Sequence, residues 1–145
     1  SFEKVLSSAI SLVSFIPLLI GTGGNTGSQS ATLIIRALVT GDVKVSDWGK
    51  VFLKELLVGI CLGLVLGLTS SVLGIFRGGV EVGLVIGLTM VSIVIVANLI
   101  GMLLPFGLTL LKLDPAVASS PLITTISDAT GLLIYFSIAA IVLKL

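Results

Sequence analysis

Four long stretches of this chain carry almost no ionisable residue, and they constrain the fold more than any other feature. They cover residues 5–35, 56–75, 82–111 and 115–143, and Asp128 is the only charged residue inside them. Each stretch reaches the roughly 20 apolar residues that a helix needs to cross about 30 Å of hydrocarbon. Backbone polar groups in lipid must bond to one another, and these stretches are too long for barrel strands. The sequence therefore predicts an all-α, polytopic membrane helix bundle with four spans.

The amino-acid composition excludes several other classes of protein. Hydrophobic residues make up 56% of the chain and charged residues 10%, against about 25% charged residues in an ordinary soluble domain. The net charge of +1 supplies no basic field for nucleic acid. The chain has no histidine, and its single cysteine, Cys61, can form neither an internal disulfide nor a thiolate metal site. We therefore expect neither an enzyme nor a nucleic-acid-binding protein.

Basic residues are concentrated in the connection over residues 36–55. It holds four of the eight basic residues and the only tryptophan, namely Arg36, Lys44, Lys50, Lys54 and Trp48. The positive-inside tendency places this connection in the cytoplasm, with the tryptophan near the headgroups. Alternate crossings then place residues 76–81 outside and residues 112–114 inside.

Helix-breaking residues interrupt the first stretch. Pro17 is followed by glycines at positions 21, 23, 24 and 27, and a helix interior loses about 1 kcal/mol for each glycine and 3 for proline. We expect either a break or a close backbone approach there. A break at Gly23 and Gly24 would expose carbonyl groups to a water-filled cavity.

Glycines recur every four residues in the second stretch, at Gly59, Gly63 and Gly67. Small residues at this spacing allow two helices to pack backbone to backbone. We interpret these three as packing residues. Asn98, a buried amide in the third long stretch, is a further candidate for a role in packing or in lining a pore.

Asp128 is the main candidate for a functional group inside a span. It lies 13 residues beyond Pro115, about 20 Å along a helix and so close to the middle of a bilayer. An aspartate facing lipid costs about 3 kcal/mol or more, so this one should face a partner, a cavity or an ion. A protonated aspartate that is hydrogen-bonded within the bundle is the alternative.

Two polar stripes accompany this aspartate. Ser120 and Thr124 precede it at intervals of four residues. The other stripe follows the glycines of the first stretch and consists of Asn25, Ser28, Gln29 and Thr32. Oxygen ligands and amides suit hard cations such as Mg²⁺ or Ca²⁺, and Mg²⁺ gives up its water reluctantly. One carboxylate per chain therefore favours a hydrated ion in a pore, and a symmetric dimer would bring a second carboxylate to the axis.

Three runs of residues carry a family resemblance. They are the run Thr22-Gly23-Gly24-Asn25-Thr26-Gly27-Ser28-Gln29 and the later runs Asp114-Pro115-Ala116 and Ser127-Asp128-Ala129-Thr130-Gly131. Together they resemble the membrane domain of the MgtE-type magnesium transporters and channels, over essentially the whole chain. The resemblance implies a plasma-membrane homodimer with five helices per subunit, a pore along the dimer axis and cytoplasmic regulatory domains. Residues 1–145 would be the transmembrane ion-conducting domain, with the first helix and the regulatory domains upstream of Ser1.

The resemblance also implies a set of site residues. Asp128 would be the central magnesium-site carboxylate, assisted by the backbone around Gly24 and by the side chains of Asn25, Ser28, Gln29, Ser120 and Thr124. Ser28 and Ser120 depart from the family, whose members can carry asparagine there. Mg²⁺ would be the transported ion, with Mn²⁺, Co²⁺ or Ca²⁺ as competitors. Asp114 and Glu55 are similar to positions that can bind gating ions, and ordinary solvated loop charge is the alternative for both.

Three other functions compete with passive magnesium transport. One is a cation exchanger coupled to sodium or protons, which flux unaffected by the sodium and proton gradients would exclude. Two copies of Asp128 at a dimer axis could mimic an intramembrane aspartyl protease, but the glycine-aspartate motifs of such proteases are absent. A purely structural subunit would tolerate Asp128→Asn with little functional loss.

Overall fold

The computed structural model describes residues 2–144, and every regular element in this range is helical. Ser1 and Leu145, the ends of the predicted transmembrane domain, lie outside the described residues. Helix α1 covers Phe2–Thr40, α2 covers Trp48–Leu110 and α3 covers Ser120–Leu143. Short 3-10 helices at Val45–Asp47 and Pro115–Val117 lie in the two connections.

All three long helices are long and apolar enough to cross a membrane. Large apolar side chains also cover the outside of the bundle, since Phe76 is 85% exposed and Ile141 is 77% exposed. A water-soluble fold would bury such groups, whereas hydrocarbon accepts them. The predicted all-helical class with membrane-length apolar segments is therefore confirmed.

The second and third predicted stretches lie in one element, α2, which reverses direction at Gly79. This residue has φ 86° and ψ −178°, a conformation that is essentially restricted to glycine. The arms on either side, residues 48–78 and 80–110, pack antiparallel. A Cβ on Gly63 would lie 3.2 Å from the Val91 Cα, and one on Gly74 would lie 2.9 Å from the Gly83 Cα. The element is therefore a helical hairpin, and each arm is about 45 Å long at 1.5 Å per residue.

Glycines on the first arm make this close packing possible. Gly59, Gly63 and Gly67 are all buried, and a Cβ on Gly59 would lie 3.2 Å from the Ile95 Cα. A larger residue at such a position would force the two backbones apart. The repeat at intervals of four residues therefore lies along the line where the arms meet.

The predicted break in the first stretch is wrong. Helix α1 runs without interruption through Pro17 and through Gly23 and Gly24, so their carbonyls do not form non-helical backbone. Propensities measured in water overstate the tendency to break, because an apolar surrounding offers the backbone no other hydrogen-bonding partner. The close backbone approach does occur, since a Cβ on Gly101 would collide with the Gly27 carbonyl oxygen.

The four helical segments alternate in direction. The Ser30 side chain of α1 bonds to Glu55 and the Ser11 side chain bonds to the Arg77 carbonyl, so α1 is antiparallel to the first arm. Helix α3 is antiparallel to α1, because the Tyr135 hydroxyl donates to the Leu12 carbonyl at 2.6 Å, whereas Ser28, later in α1, contacts Thr124, earlier in α3. Both interhelical connections, residues 41–47 and 111–119, consequently lie at one end of the bundle.

Candidate functional site

The backbone of α1 lies directly against two polar side chains of α3 at Gly24. A Cβ on this buried glycine would lie 3.0 Å from the Thr124 Cγ2 and 3.2 Å from the Asp128 Oδ1. Glycine at this position therefore allows the two helices to meet at the level of the carboxylate. Any larger side chain would occupy the space beside it.

Three hydroxyl groups form a chain of hydrogen bonds next to the carboxylate. Ser120 Oγ donates to Ser28 Oγ at 3.1 Å, and Ser28 Oγ lies 3.1 Å from Thr124 Oγ1. The Thr124 hydroxyl donates to the Ser120 carbonyl at 2.8 Å. A hydroxyl has one proton to donate, so Ser28 must be the donor to Thr124. All three protons are then committed, and none is directed at Asp128.

Asp128 is left with an oxygen that no hydrogen-bond donor satisfies. Its Oδ1 is buried and has no hydrogen-bond partner among the described residues. The predicted depth of 13 helical residues beyond Pro115 is wrong, because α3 begins only at Ser120. Asp128 therefore lies about 12 Å along α3. A buried anionic oxygen without a donor costs several kcal/mol unless a cation or a proton compensates it.

An open groove runs along α1 beside Ser28. It has a volume of about 390 Å³ and is lined by Ser28, Gln29, Thr32 and Leu33. Asn25, Gln29 and Ser120 are exposed. The contacts thus bring together Gly24, Ser28, Ser120, Thr124 and Asp128, while Gln29 lines the groove and Asn25 lies on the exposed side of α1.

Glu55 and Asp114 differ sharply in their surroundings. Glu55 lies within α2 and is 7% exposed, so the alternative of an ordinary solvated loop charge is wrong for it. Asp114 is exposed, and its side chain accepts a hydrogen bond from the Ala116 amide at 2.9 Å, ahead of the 3-10 helix. Its role in binding a gating ion stays a prediction. Asn98 is 4% exposed and donates to Glu55.

Two further polar groups were missed at the sequence level. Ser30 is 3% exposed and donates to the Glu55 carboxylate at 3.0 Å. The Ser127 hydroxyl is buried, has no hydrogen-bond partner in the described part of the chain and faces Gly27. Both serines lie beside residues of the predicted stripes, but a lone serine in an apolar helix usually bonds its own backbone and gives little signal.

The described residues contain no group of three or more His, Cys, Asp or Glu side chains that could hold a metal ion. A single carboxylate with hydroxyl oxygens can still hold a hard cation that keeps most of its water. The helices and this site together define a helical membrane protein with a polar site between its spans.

Comparison with known proteins gives the family. A family model described as a divalent cation transporter, MgtE, matches residues 16–138. The chain is 50% identical over 143 residues to the magnesium transporter MgtE of Thermus thermophilus, and this match covers 99% of this chain and 32% of that relative. It is 43% identical over 145 residues to the magnesium transporter MgtE of Enterococcus faecalis, which covers 99% of this chain and 32% of that relative. It is 34% identical over 139 residues to the magnesium transporter MgtE of Bacillus subtilis, and this match covers 95% of this chain and 31% of that relative.

These matches show that the chain belongs to the MgtE family of divalent cation transporters. The chain spans about a third of the length of the curated relatives it matches.

Proposed function

We propose that this chain is the membrane-spanning part of a transporter that carries Mg²⁺ through a channel-like pore, with Asp128 as the carboxylate that attracts the ion. The observation that carries the proposal is the buried Asp128 Oδ1, which no donor among the described residues satisfies. A cation would compensate this oxygen, and the name of the relatives, magnesium transporter, supplies the ion.

The donor set supports a largely hydrated ion. One carboxylate and the oxygens of Ser28 and Thr124 are too few to replace the octahedral shell of Mg²⁺, which keeps several waters in most protein sites. The groove beside Ser28 has about 390 Å³ of space, whereas one liquid water occupies about 30 Å³. A hydrated cation would therefore fit beside Ser28, whose hydroxyl lies 3.1 Å from Thr124, one helical turn before Asp128.

The exposed polar face supports assembly as a homodimer. Asn25, Gln29 and Ser120 are exposed beside exposed apolar side chains such as Leu33, and polar groups facing lipid are costly. A second copy packed across this face would enclose the groove and bring a second Asp128 near the axis. In this arrangement the two arms of α2 count as separate crossings, which gives four spans. Family resemblance adds a fifth helix and cytoplasmic regulatory domains in the full-length protein.

The driving force for entry needs no coupling ion. A membrane potential supplies about 2.3 kcal/mol per charge per 100 mV, and a divalent ion receives twice this energy. Exchange against sodium or protons would instead make Mg²⁺ uptake depend on the gradients of those ions. Uptake that persists when both gradients are collapsed and only a potassium-diffusion potential remains excludes the exchanger.

The test compares Asp128→Asn with Asp42→Asn in proteoliposomes that contain the full-length protein and a Mg²⁺-sensitive dye. Asp42 is an exposed loop aspartate, so its variant makes the same chemical change away from the site. Removing one charge about 5 Å from a divalent ion costs roughly 6–7 kcal/mol at an effective dielectric constant of 20. We expect Asp128→Asn to lower uptake at least about a hundredfold, and Asp42→Asn to leave it unchanged. Normal uptake by a folded Asp128→Asn variant would remove Asp128 from the mechanism.

A further inference from the structure

A second carboxylate is buried on the other side of α1, away from Asp128. Glu55, 7% exposed, lies in the first arm of α2 beside Ser30 of α1 and Asn98 of the second arm. The Ser30 hydroxyl donates to the Glu55 Oε2 at 3.0 Å. The Asn98 side-chain nitrogen donates to the same oxygen at 2.9 Å and to the Glu55 backbone carbonyl at 2.7 Å. Three helical segments are thus joined at one side chain.

The chemistry of this cluster suits a hydrogen-bonded anchor better than an ion site. A backbone carbonyl can only accept, so its contact with Asn98 identifies the Asn98 atom as the amide nitrogen, a donor. Both side chains that face the Glu55 Oε2 therefore present protons to it. A hard cation needs oxygen acceptors instead, and here the acceptor is already satisfied by donors.

The position of Ser30 on α1 connects this cluster to the candidate site. Ser30 and Ser28 are two residues apart, so they point about 200° from each other around the helix axis. One side of α1 is held by the hydrogen bond of Ser30 to Glu55. On the opposite side of α1, Ser28 Oγ lies 3.1 Å from Thr124 Oγ1. A side-chain atom that lies about 5–6 Å from the helix axis would move by about 1 Å if α1 rotated by about 10°. Such a shift is enough to break that contact.

We infer that Glu55 is a positioning residue, which fixes the rotation of α1 and so holds Gly24 and Ser28 against Thr124 and Asp128. Its effect on transport rests on the proposed function, whereas its effect on the geometry of α1 does not. The inference requires the acceptor oxygen of Glu55 and not its negative charge. Glutamine keeps a carbonyl oxygen that can accept from both Ser30 and Asn98, and alanine keeps none.

The first experiment measures Mg²⁺ uptake by the full-length protein in proteoliposomes as a function of Mg²⁺ concentration. For Glu55→Ala we expect the concentration for half-maximal uptake to rise about tenfold, as the loss of one or two buried hydrogen bonds implies. For Glu55→Gln we expect a change of less than about twofold. Glu81→Ala, an exposed glutamate on the Gly79 turn, is the matched control and should behave like wild type. If Glu55→Gln is impaired as much as Glu55→Ala, or if Glu55→Ala matches wild type, the inference is overturned.

The second experiment reads the geometry without transport. Ser28→Cys and Thr124→Cys are introduced together in a Cys61→Ser background, because Cys61 is exposed and the two hydroxyl positions are within disulfide reach. Glu55→Ala should slow oxidative cross-linking several-fold, and Glu55→Gln should not. Equal rates in all three backgrounds would refute the positioning role even if the wild-type protein carried no Mg²⁺. If Glu55→Ala does not fold, Ser30→Ala removes one of the donors and supports the same comparison.

Discussion

The close contact of three helices at Gly27 leads to a quantitative prediction for Gly27→Ala. The new Cβ would lie 2.8 Å from the Ser127 Oγ, 3.0 Å from the Ile123 Cγ2 and 3.1 Å from the Ala97 carbonyl oxygen. Carbon atoms normally pack at about 3.5–4.0 Å, and a backbone oxygen cannot rotate away. Helix α1 must therefore shift by roughly half an ångström from both α3 and the second arm of α2.

The expected free-energy change combines two terms. Overpacking of this size costs about 1–3 kcal/mol, while replacing glycine by alanine in a helix returns up to about 1 kcal/mol. We expect Gly27→Ala to lower the free energy of unfolding by about 1–2 kcal/mol. Gly21→Ala is the matched control, because Gly21 lies in the same helix and no described residue comes within 4 Å of the added Cβ. This variant should be more stable than wild type by up to about 1 kcal/mol.

Reversible unfolding in detergent micelles, followed by the fluorescence of the single tryptophan, Trp48, measures both variants against wild type. The intrinsic helix propensities of glycine and alanine are the same at the two positions, so the difference between the variants reports the packing at Gly27. Equal stability changes for Gly27→Ala and Gly21→Ala would refute the assignment of Gly27 to a three-helix contact.

Three further outcomes follow from the structure. Gly79→Ala should lower the free energy of unfolding by about 1–3 kcal/mol, because φ 86° with ψ −178° is a glycine conformation. Gly107→Ala should not lower it, because no described residue lies within 4 Å of the added Cβ, and chemical denaturation compares the two variants. Tyr135→Phe removes the bond to the Leu12 carbonyl and should cost about 0.6–1.7 kcal/mol in the same assay. Gly24→Leu should abolish Mg²⁺ uptake in proteoliposomes while the folded protein still elutes as one species, and uptake at the wild-type rate would show that the path lies elsewhere.

The fold could be predicted as far as hydrophobic length determines it. The long apolar stretches predicted membrane-length helices, and these are present. The continuity of α1 through Pro17 could not be predicted from propensities measured in water, because the apolar surroundings favour an unbroken backbone ladder. The reversal within α2 was expected as a six-residue connection over residues 76–81. The structure confines the non-helical geometry to Gly79.

The candidate site was only partly predictable. Spacing of four placed Ser120, Thr124 and Asp128 on one face of a helix, and the structure directs these side chains towards α1. The hydrogen-bonded group of Ser30, Glu55 and Asn98 had no local signal, because its members are separated by 25 and 43 residues along the chain. Glu55 was assigned to a connection since it immediately precedes an apolar stretch, and its burial depends on two other helices.

The reversal at Gly79 leaves a single residue to join the two arms of α2. The arms also pack backbone to backbone along their length, as at Gly63 against Val91, so they form one body. Hydrogen bonds at Glu55 hold α1 to the same body. Helix α3 is joined to it through the longer connection of residues 111–119, and it carries Asp128. Any opening or closing between α1 and α3 would therefore be a displacement of α3 over a fixed three-helix frame, with the carboxylate travelling on the moving part.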